Sequence, residues 1–286
     1  MPVDKSPKDD TRIQLNTKLI FSENMKKVQN FDEINFEEFL QKCDRWATSD
    51  GAKSSKIAVT KQALGNARGK WYEWLITLGY WHWVFSQEEP NFILAQLPNI
   101  NSFDSTNLFK LEVVNSISKF KEKLLQKNVT LVTSNPDFVI IKSNPLEHKL
   151  FTSAADIKAQ IMNLDEMSEF FSNFVGTCDI TDVLGYLAVK SSMRPDRRLQ
   201  IAHEGSIFKA LSKNISLTIN KKEFIPNFFA FTIKTTGKDQ QALKTAATHS
   251  IAENASNPIR AVDEVYNVNN YTELSDAFSS IQQKLR

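Results

Sequence analysis

Val183-Leu184-Gly185-Tyr186-Leu187-Ala188-Val189-Lys190-Ser191-Ser192-Met193-Arg194-Pro195-Asp196-Arg197-Arg198 is the stretch on which the reading of this chain turns. Its first half is an apolar run bounded by polar residues, which reads as a buried strand with Tyr186, Ala188 and Lys190 on one face. Pro195 suits the first position of a helix, where its missing N–H would be unpaired in any case, and Asp196 adds a carboxylate to the first turn. The helical pattern continues to about Leu211 along a stripe of Leu199, Ala202, Ser206 and Ala210. A second stripe holds Arg197, Ile201, Glu204 and Phe208, so Glu204 lies on the face that carries Arg197.

Working upstream, Val129 to Thr133 and Phe138 to Lys142 are β-rich runs on either side of Ser134-Asn135-Pro136-Asp137. Asn-Pro favours a bend, which puts Asp137 at the start of a strand. Asn91 to Leu97 reads as a strand ending at Pro98, and Phe228 to Ile233 as a further buried strand. Helical spacing marks Phe36, Phe39, Leu40 and Cys43, with Asp32 able to cap. Gly69 to Gly79 is another helix, in which Trp71, Trp74, Leu75 and Leu78 form the apolar stripe and Glu73 stands off it. Helices are also expected over Leu108 to Lys127, Asp156 to Phe174 and Tyr271 to Leu285, and no internal repeat is visible. The fold class is therefore α/β, a central mixed β-sheet flanked by helices.

A chain of 286 residues with 41% apolar residues, 20 Phe, 8 Gly and 9 Pro can build a large core without linker-rich segments. The charged, proline-containing residues 1–12 are expected to be a disordered tail, and 13–286 a single domain. Net charge is +2 with a pI near 8.3, too mild to identify a nucleic-acid binder, so any such field must be local. Cys43 and Cys178 show neither metal-site nor disulfide spacing, which suits a reducing cytoplasm. The N-terminus lacks the apolar core of a secretory signal, and the most apolar stretch, Trp71 to Phe85, is interrupted by Glu73, Gly79 and His82, so no membrane association is expected.

Asp137, Lys190 and Glu204 together have the makings of a metal-dependent phosphodiester hydrolase. Hard Mg²⁺ takes one or two carboxylates, which Asp137 and Glu204 can supply, while Lys190 can orient or deprotonate a water and offset charge on phosphorus. Taken alone, Pro136-Asp137 and Lys190 fit solvated strand ends more readily than a nuclease signature, because the acid wanted two residues before the lysine is replaced by Ala188. Arg194 to Arg198 by themselves read best as a salt-bridged helix start. The tryptophans are expected in the core or at a subunit interface, and His203 and His249 in structural roles.

The wider sequence resembles type II restriction endonucleases that cut around a central CCGG, members of the PD-(D/E)XK superfamily. In the branch that reads purine-CCGG-pyrimidine, the acid missing from the strand is supplied by the next helix. Val189-Lys190, Arg194-Pro195-Asp196-Arg197-Arg198-Leu199-Gln200 and His203-Glu204-Gly205 look like that branch's segment. Further similar segments follow in order: Gly69 to Ile76, Leu97-Pro98-Asn99 with Ser102-Phe103-Asp104, Thr133 to Phe138, Thr245 to Ile251 and Ala261 to Glu264. The resemblance covers residue 60 or so to the C-terminus.

It implies a restriction-endonuclease-like fold in which Asp137 and Glu204 bind Mg²⁺, Lys190 is the catalytic lysine and Glu73 a further acid of the active site. It also implies base reading by Arg194, Asp196 and Arg197, in keeping with arginine donating to guanine and aspartate accepting from cytosine. Arg198 is left to contact a phosphate or an acid. The partner implied is double-stranded DNA, cut before the first C to leave a CCGG 5′ overhang in a prokaryotic restriction-modification system. A two-fold dimer matches a palindrome by symmetry, and the family implies a homotetramer holding two DNA copies. A protein that keeps the reader but has lost cleavage is the alternative, disfavoured by the intact Asp137, Lys190 and Glu204.

Overall fold

The computed structural model describes residues 3–6, 9–54, 59–100, 102–133, 135–148, 150–151, 153, 164–253 and 258–286. Its elements begin with β1 (Val3–Ser6), β2 (Asp9–Leu15), α1 (Thr17–Met25), α2 (Phe36–Ser54) and α3 (Lys61–Ser86). After these come β3 (Phe92–Gln96), α4 (Leu111–Leu125), β4 (Phe138–Lys142), α5 (Leu164–Glu169), β5 (Val183–Lys190) and α6 (Pro195–Asn220). The chain closes with β6 (Asn227–Thr232), α7 (Gly237–Leu243), α8 (Thr248–Glu253), β7 (Glu264–Asn267) and α9 (Tyr271–Lys284).

One sheet runs in the order β3-β4-β5-β6-β7. β4 is antiparallel to both of its neighbours, β3 and β5, and β5, β6 and β7 are parallel. Because side chains alternate between faces, the aromatic contacts show which helix covers which side. Phe92 packs on Tyr80 and Trp83 of α3, and Phe231 on Phe278 of α9. On the opposite face the Tyr186 and Phe208 ring centroids are 4.3 Å apart, bringing α6 down on β5. This is the mixed sheet between helices that the sequence leads one to expect.

Trp71, Trp74, Trp81 and Trp83 of α3 are all buried, as core residues should be. Rings of this size each withdraw on the order of 150–250 Å² from water, a contribution of several kcal/mol apiece. Thr60 starts α3 by accepting from the Ala63 amide. The corresponding cap of α2 is Asn35, which accepts from the Glu38 amide, rather than Asp32.

Near the N-terminus, β1 and β2 form an antiparallel pair with Val3 opposite Leu15. Val3, Thr11 and Ile13 give that pair β-prone residues. Val129 to Thr133 is no strand: it joins neither edge of the sheet, and Val129 and Val132 are exposed rather than packed on a sheet face. Within the expected helix from Asp156 to Phe174, residues 156–163 lie outside the described residues, and Phe170–Phe174 is a tighter 3-10 turn. Leu199, assigned to a packed stripe, is 76% exposed, because the stripe that meets the sheet is the one holding Ile201, Glu204 and Phe208.

Candidate active site

Phe138 lies opposite Leu187 in the antiparallel register, so Asp137, one residue earlier, arrives at the sheet end where β5 finishes in Lys190. Lys190 Nζ donates to Asp137 Oδ2 at 2.6 Å and to Oδ1 at 3.0 Å. The Val189 amide donates to Oδ2 as well, at 2.6 Å. Both side chains are largely buried, 19% exposed for Lys190 and 9% for Asp137. Burial alone would push the Lys190 ammonium down, yet the charge and hydrogen bonds of Asp137, joined by Glu204 and Glu73, hold it above its ordinary value. Upstream, the Asn135 side chain accepts from the Ser105 amide and donates to the Phe103 carbonyl, tying the approach to Asp137 against the 103–105 turn.

Glu73 comes from α3, on the opposite face of the sheet, and completes the cluster around the sheet end. Its Oε2 accepts from Gln96 Nε2 at 2.5 Å and lies 3.5 Å from Lys70 Nζ. Burial first, and then the negative charge of Asp137, push its carboxyl up to about 7, against the pull of Lys70, Lys190 and Gln96. Glu73 is therefore an acid that releases its proton near neutrality.

Glu204 is 5% exposed on α6 and accepts from Gln200 Nε2 at 2.9 Å, one turn earlier on the helix. The helix is seated beside it. A Cβ at Gly205 would come within 2.1 Å of the Ala261 carbonyl oxygen, so only glycine allows this approach. One turn on, buried Lys209 donates to the Arg260 carbonyl and pairs with Asp263 Oδ2, each at 2.7 Å. The same Asp263 oxygen accepts from the Phe228 amide.

Among the described residues, no three carboxylate, histidine or cysteine side chains form a metal cage. What Lys190 gathers is a set of separate carboxylates, Asp137, Glu204 and Glu73. Such a set fits Mg²⁺, which takes one or two carboxylates and keeps several waters, better than a cation that needs a full protein shell. The raised Glu73 also records like-charge crowding that a cation would relieve.

Arg194, Asp196 and Arg197 sit at the start of α6, four to seven residues past Lys190. Arg194 Nη2 and Asp196 Oδ2 are 2.9 Å apart, and both side chains are more than 60% exposed. Arg197 Nη1 donates to the carbonyl and hydroxyl oxygens of Ser192, at 3.1 and 3.3 Å. Burial and Arg194 lower its guanidinium against Asp196 and Asp137, which places it beside the acidic cluster as well. Arg198 turns inward to Asp239 at 2.7 Å.

Sequence reasoning missed Gln96 and Asp239. Gln96 is 2% exposed, and its signal was an amide inside the apolar run Phe92 to Leu97. Asp239 carried no such mark. Of the histidines set aside, His203 is exposed on α6. Lys121 of the lysine-rich α4 pairs with Asp104.

Comparison with known proteins gives a consistent picture. The family model described as Cfr10I/Bse634I restriction endonuclease matches residues 3–284. The type II restriction enzyme Cfr10I of Citrobacter freundii is 35% identical over 229 residues, 78% of this chain and 79% of that protein. The crystal structure of the type IIF restriction endonuclease Bse634I with cognate DNA is similar at a TM-score of 0.84 and 26% identity, covering 98% of this chain and 97% of that one. Another Bse634I structure gives a TM-score of 0.81 over the same shares, also at 26% identity.

Proposed function

The chain belongs to the Cfr10I/Bse634I family of restriction endonucleases, and from that premise we propose that it is a Mg²⁺-dependent enzyme cutting both DNA strands at purine-CCGG-pyrimidine. Cleavage before the first C leaves a CCGG 5′ overhang. The observation that carries this reading is the meeting of Asp137, Lys190, Glu204 and Glu73 at one sheet end, directly ahead of the Arg194 to Arg197 turn. Type II restriction endonucleases in general use divalent metal ions.

Asp137 and Glu204 are the metal ligands. When bound, Mg²⁺ supplies Lewis-acid activation of the scissile phosphate and of an attacking water. Lys190 faces that phosphate from the floor of the site, offsetting its growing charge and orienting the water. Glu73, releasing its proton near neutrality, is placed to accept one from the sheet's other side. Arg194 and Arg197 donate to guanine O6 and N7 while Asp196 accepts from cytosine N4, so each subunit reads half of the palindrome. Two-fold symmetry requires at least a dimer, and a homotetramer engaging two duplexes is the assembly proposed. The enzyme acts in a prokaryotic cytoplasm, a setting in keeping with its two free cysteines.

Incubating plasmids that carry one or two purine-CCGG-pyrimidine sites with Mg²⁺, then sequencing the cut ends, tests the whole reading. Cutting at those sites alone, with four-base 5′ ends, is expected. Site-specific binding without cutting, or cutting at an unrelated sequence, would sink it.

A further inference from the structure

We propose that the Arg198–Asp239 ion pair is a positioning device for base reading, setting the register of the first turn of α6 without touching DNA. The inference rests on the assignment of Arg194, Asp196 and Arg197 as base readers. Apart from Arg197, which bonds only to Ser192 just upstream, that turn has no other fastening of its own side chains to the rest of the fold among the described residues. Its N-cap, Arg194, makes no side-chain cap hydrogen bond, and Arg194 and Asp196 are bonded to each other out in solvent. Arg198 is the first side chain of α6 to bond a distant element, with Nη1 2.7 Å from Asp239 Oδ1.

Asp239 is itself immobilised. Its other oxygen accepts from the amide and the hydroxyl of Thr236, both at 2.8 Å, and its own amide donates to Thr236 Oγ1 at 3.2 Å. This reciprocal capping box fixes the start of α7. The preceding residue, Thr235, donates through its amide and hydroxyl to Asn267 Oδ1, at 2.9 and 2.8 Å. Asn267 is the last residue of β7. A continuous chain of hydrogen bonds therefore runs from the reading turn through Arg198, Asp239 and the 235–236 turn to the sheet.

The other fastenings of α6 lie around and beyond Glu204: Ile201 and Ala202 are buried, Ala202 with Ala247 and Ala261, followed by Gly205 against Ala261 and Lys209 with Asp263. Loss of the Arg198–Asp239 pair thus leaves the catalytic glutamate seated while freeing the turn that reads bases. Bidentate base contacts depend on planar alignment, so a turn that rocks weakens the correct contacts and discriminates less against wrong ones.

The test compares kcat/KM on a cognate duplex with kcat/KM on one altered at a single central base pair. It uses the full-length wild type, Arg198→Met, Asp239→Asn and the double variant, with thermal melting of each and affinity for a duplex lacking CCGG. Each single variant is expected to lower the cognate-to-altered ratio roughly tenfold, the double no further than the worse single, and non-specific affinity is expected to stay unchanged. Arg198→Lys, which keeps the charge but not the fork, is expected to fall between wild type and Arg198→Met. An unchanged ratio in the folded variants overturns the proposal. So does uniform weakening on all DNA by Arg198→Met alone, which marks a phosphate contact, or unfolding of both singles at assay temperature, which marks a stability element. A wild type indifferent to the central base pairs removes the reader assignment instead, and the positioning role falls with it.

Discussion

Lys190 Nζ reaches both carboxylate oxygens of Asp137, at 2.6 and 3.0 Å, and this double contact joins the two strands that build the site. It keeps the lysine an ammonium, since Asp137 and the more distant Glu204 and Glu73 outweigh the cost of burying the charge. In this arrangement the lysine is a source of positive charge rather than a base. Drawing its proton away requires that Asp137 be neutralised by another partner.

Asp137→Ala removes a proposed metal ligand and that partner together. Cleavage is expected to fall on the order of a hundredfold to a thousandfold or more, the scale seen when a group stabilising transition-state charge is deleted. Binding to a cognate duplex should be largely retained. Single-turnover cleavage beside a gel-shift titration checks both, and normal cutting would overturn the ligand assignment.

Glu73 makes a pH-dependent cost. Its folded value, about 7, lies above its ordinary 4.5. Between those pH values the native state holds a proton that the unfolded chain has released, so stability from this group is full below the window and lost as pH rises through it. Glu73→Gln is therefore expected to be more stable than wild type at pH 8 and nearly equal at pH 4.5. The ceiling is about 3 kcal/mol, at about 1.4 kcal/mol per tenfold change in proton affinity. Urea unfolding across this range decides it; a difference independent of pH would contradict the assignment.

Arg194→Ala should weaken recognition by roughly 1–3 kcal/mol. The loss should appear as relaxed preference at one guanine position, with cutting chemistry intact on saturated substrate. Uniform weakening across all sequences would instead make Arg194 a backbone contact.

Gly205→Ala drives a methyl into the Ala261 carbonyl. Overpacking of this kind costs about 1–3 kcal/mol, and here the shift is transmitted to Glu204, the preceding residue. A lowered melting temperature accompanied by a fall in kcat is expected. A drop in stability with unchanged kcat would show that Glu204 tolerates displacement of its helix.

The strand ending in Lys190 and the helix starting at Pro195 were legible because each announces itself locally, by period, by proline and by charge. Asp137 was legible for the same reason, standing after a bend at the head of an apolar run. Gln96, Asp239 and Asp263 were not, since each gains meaning from a partner far along the chain: Glu73 is 23 residues from Gln96, and Arg198 is 41 from Asp239. Val129 to Thr133 has the residues of a strand but stays outside the ladder with Val129 and Val132 exposed, an outcome that depends on the packing around it and not on the segment. Leu199 shows the same limit on a helix, where the phase of burial is set by what lies beneath.

Asp263 Oδ2 serves Lys209 and the Phe228 amide at once, so this last fastening of α6 forms only after the polypeptide has reached residue 263. A ribosome finishes Asp137, Lys190, the first turn of α6 and Glu204 well before it makes that carboxylate. Every unfinished chain thus carries the proposed catalytic residues without that fastening. Truncations ending ahead of Asp263 should be inert toward DNA, and the order of synthesis then spares the host genome from fragments of the enzyme.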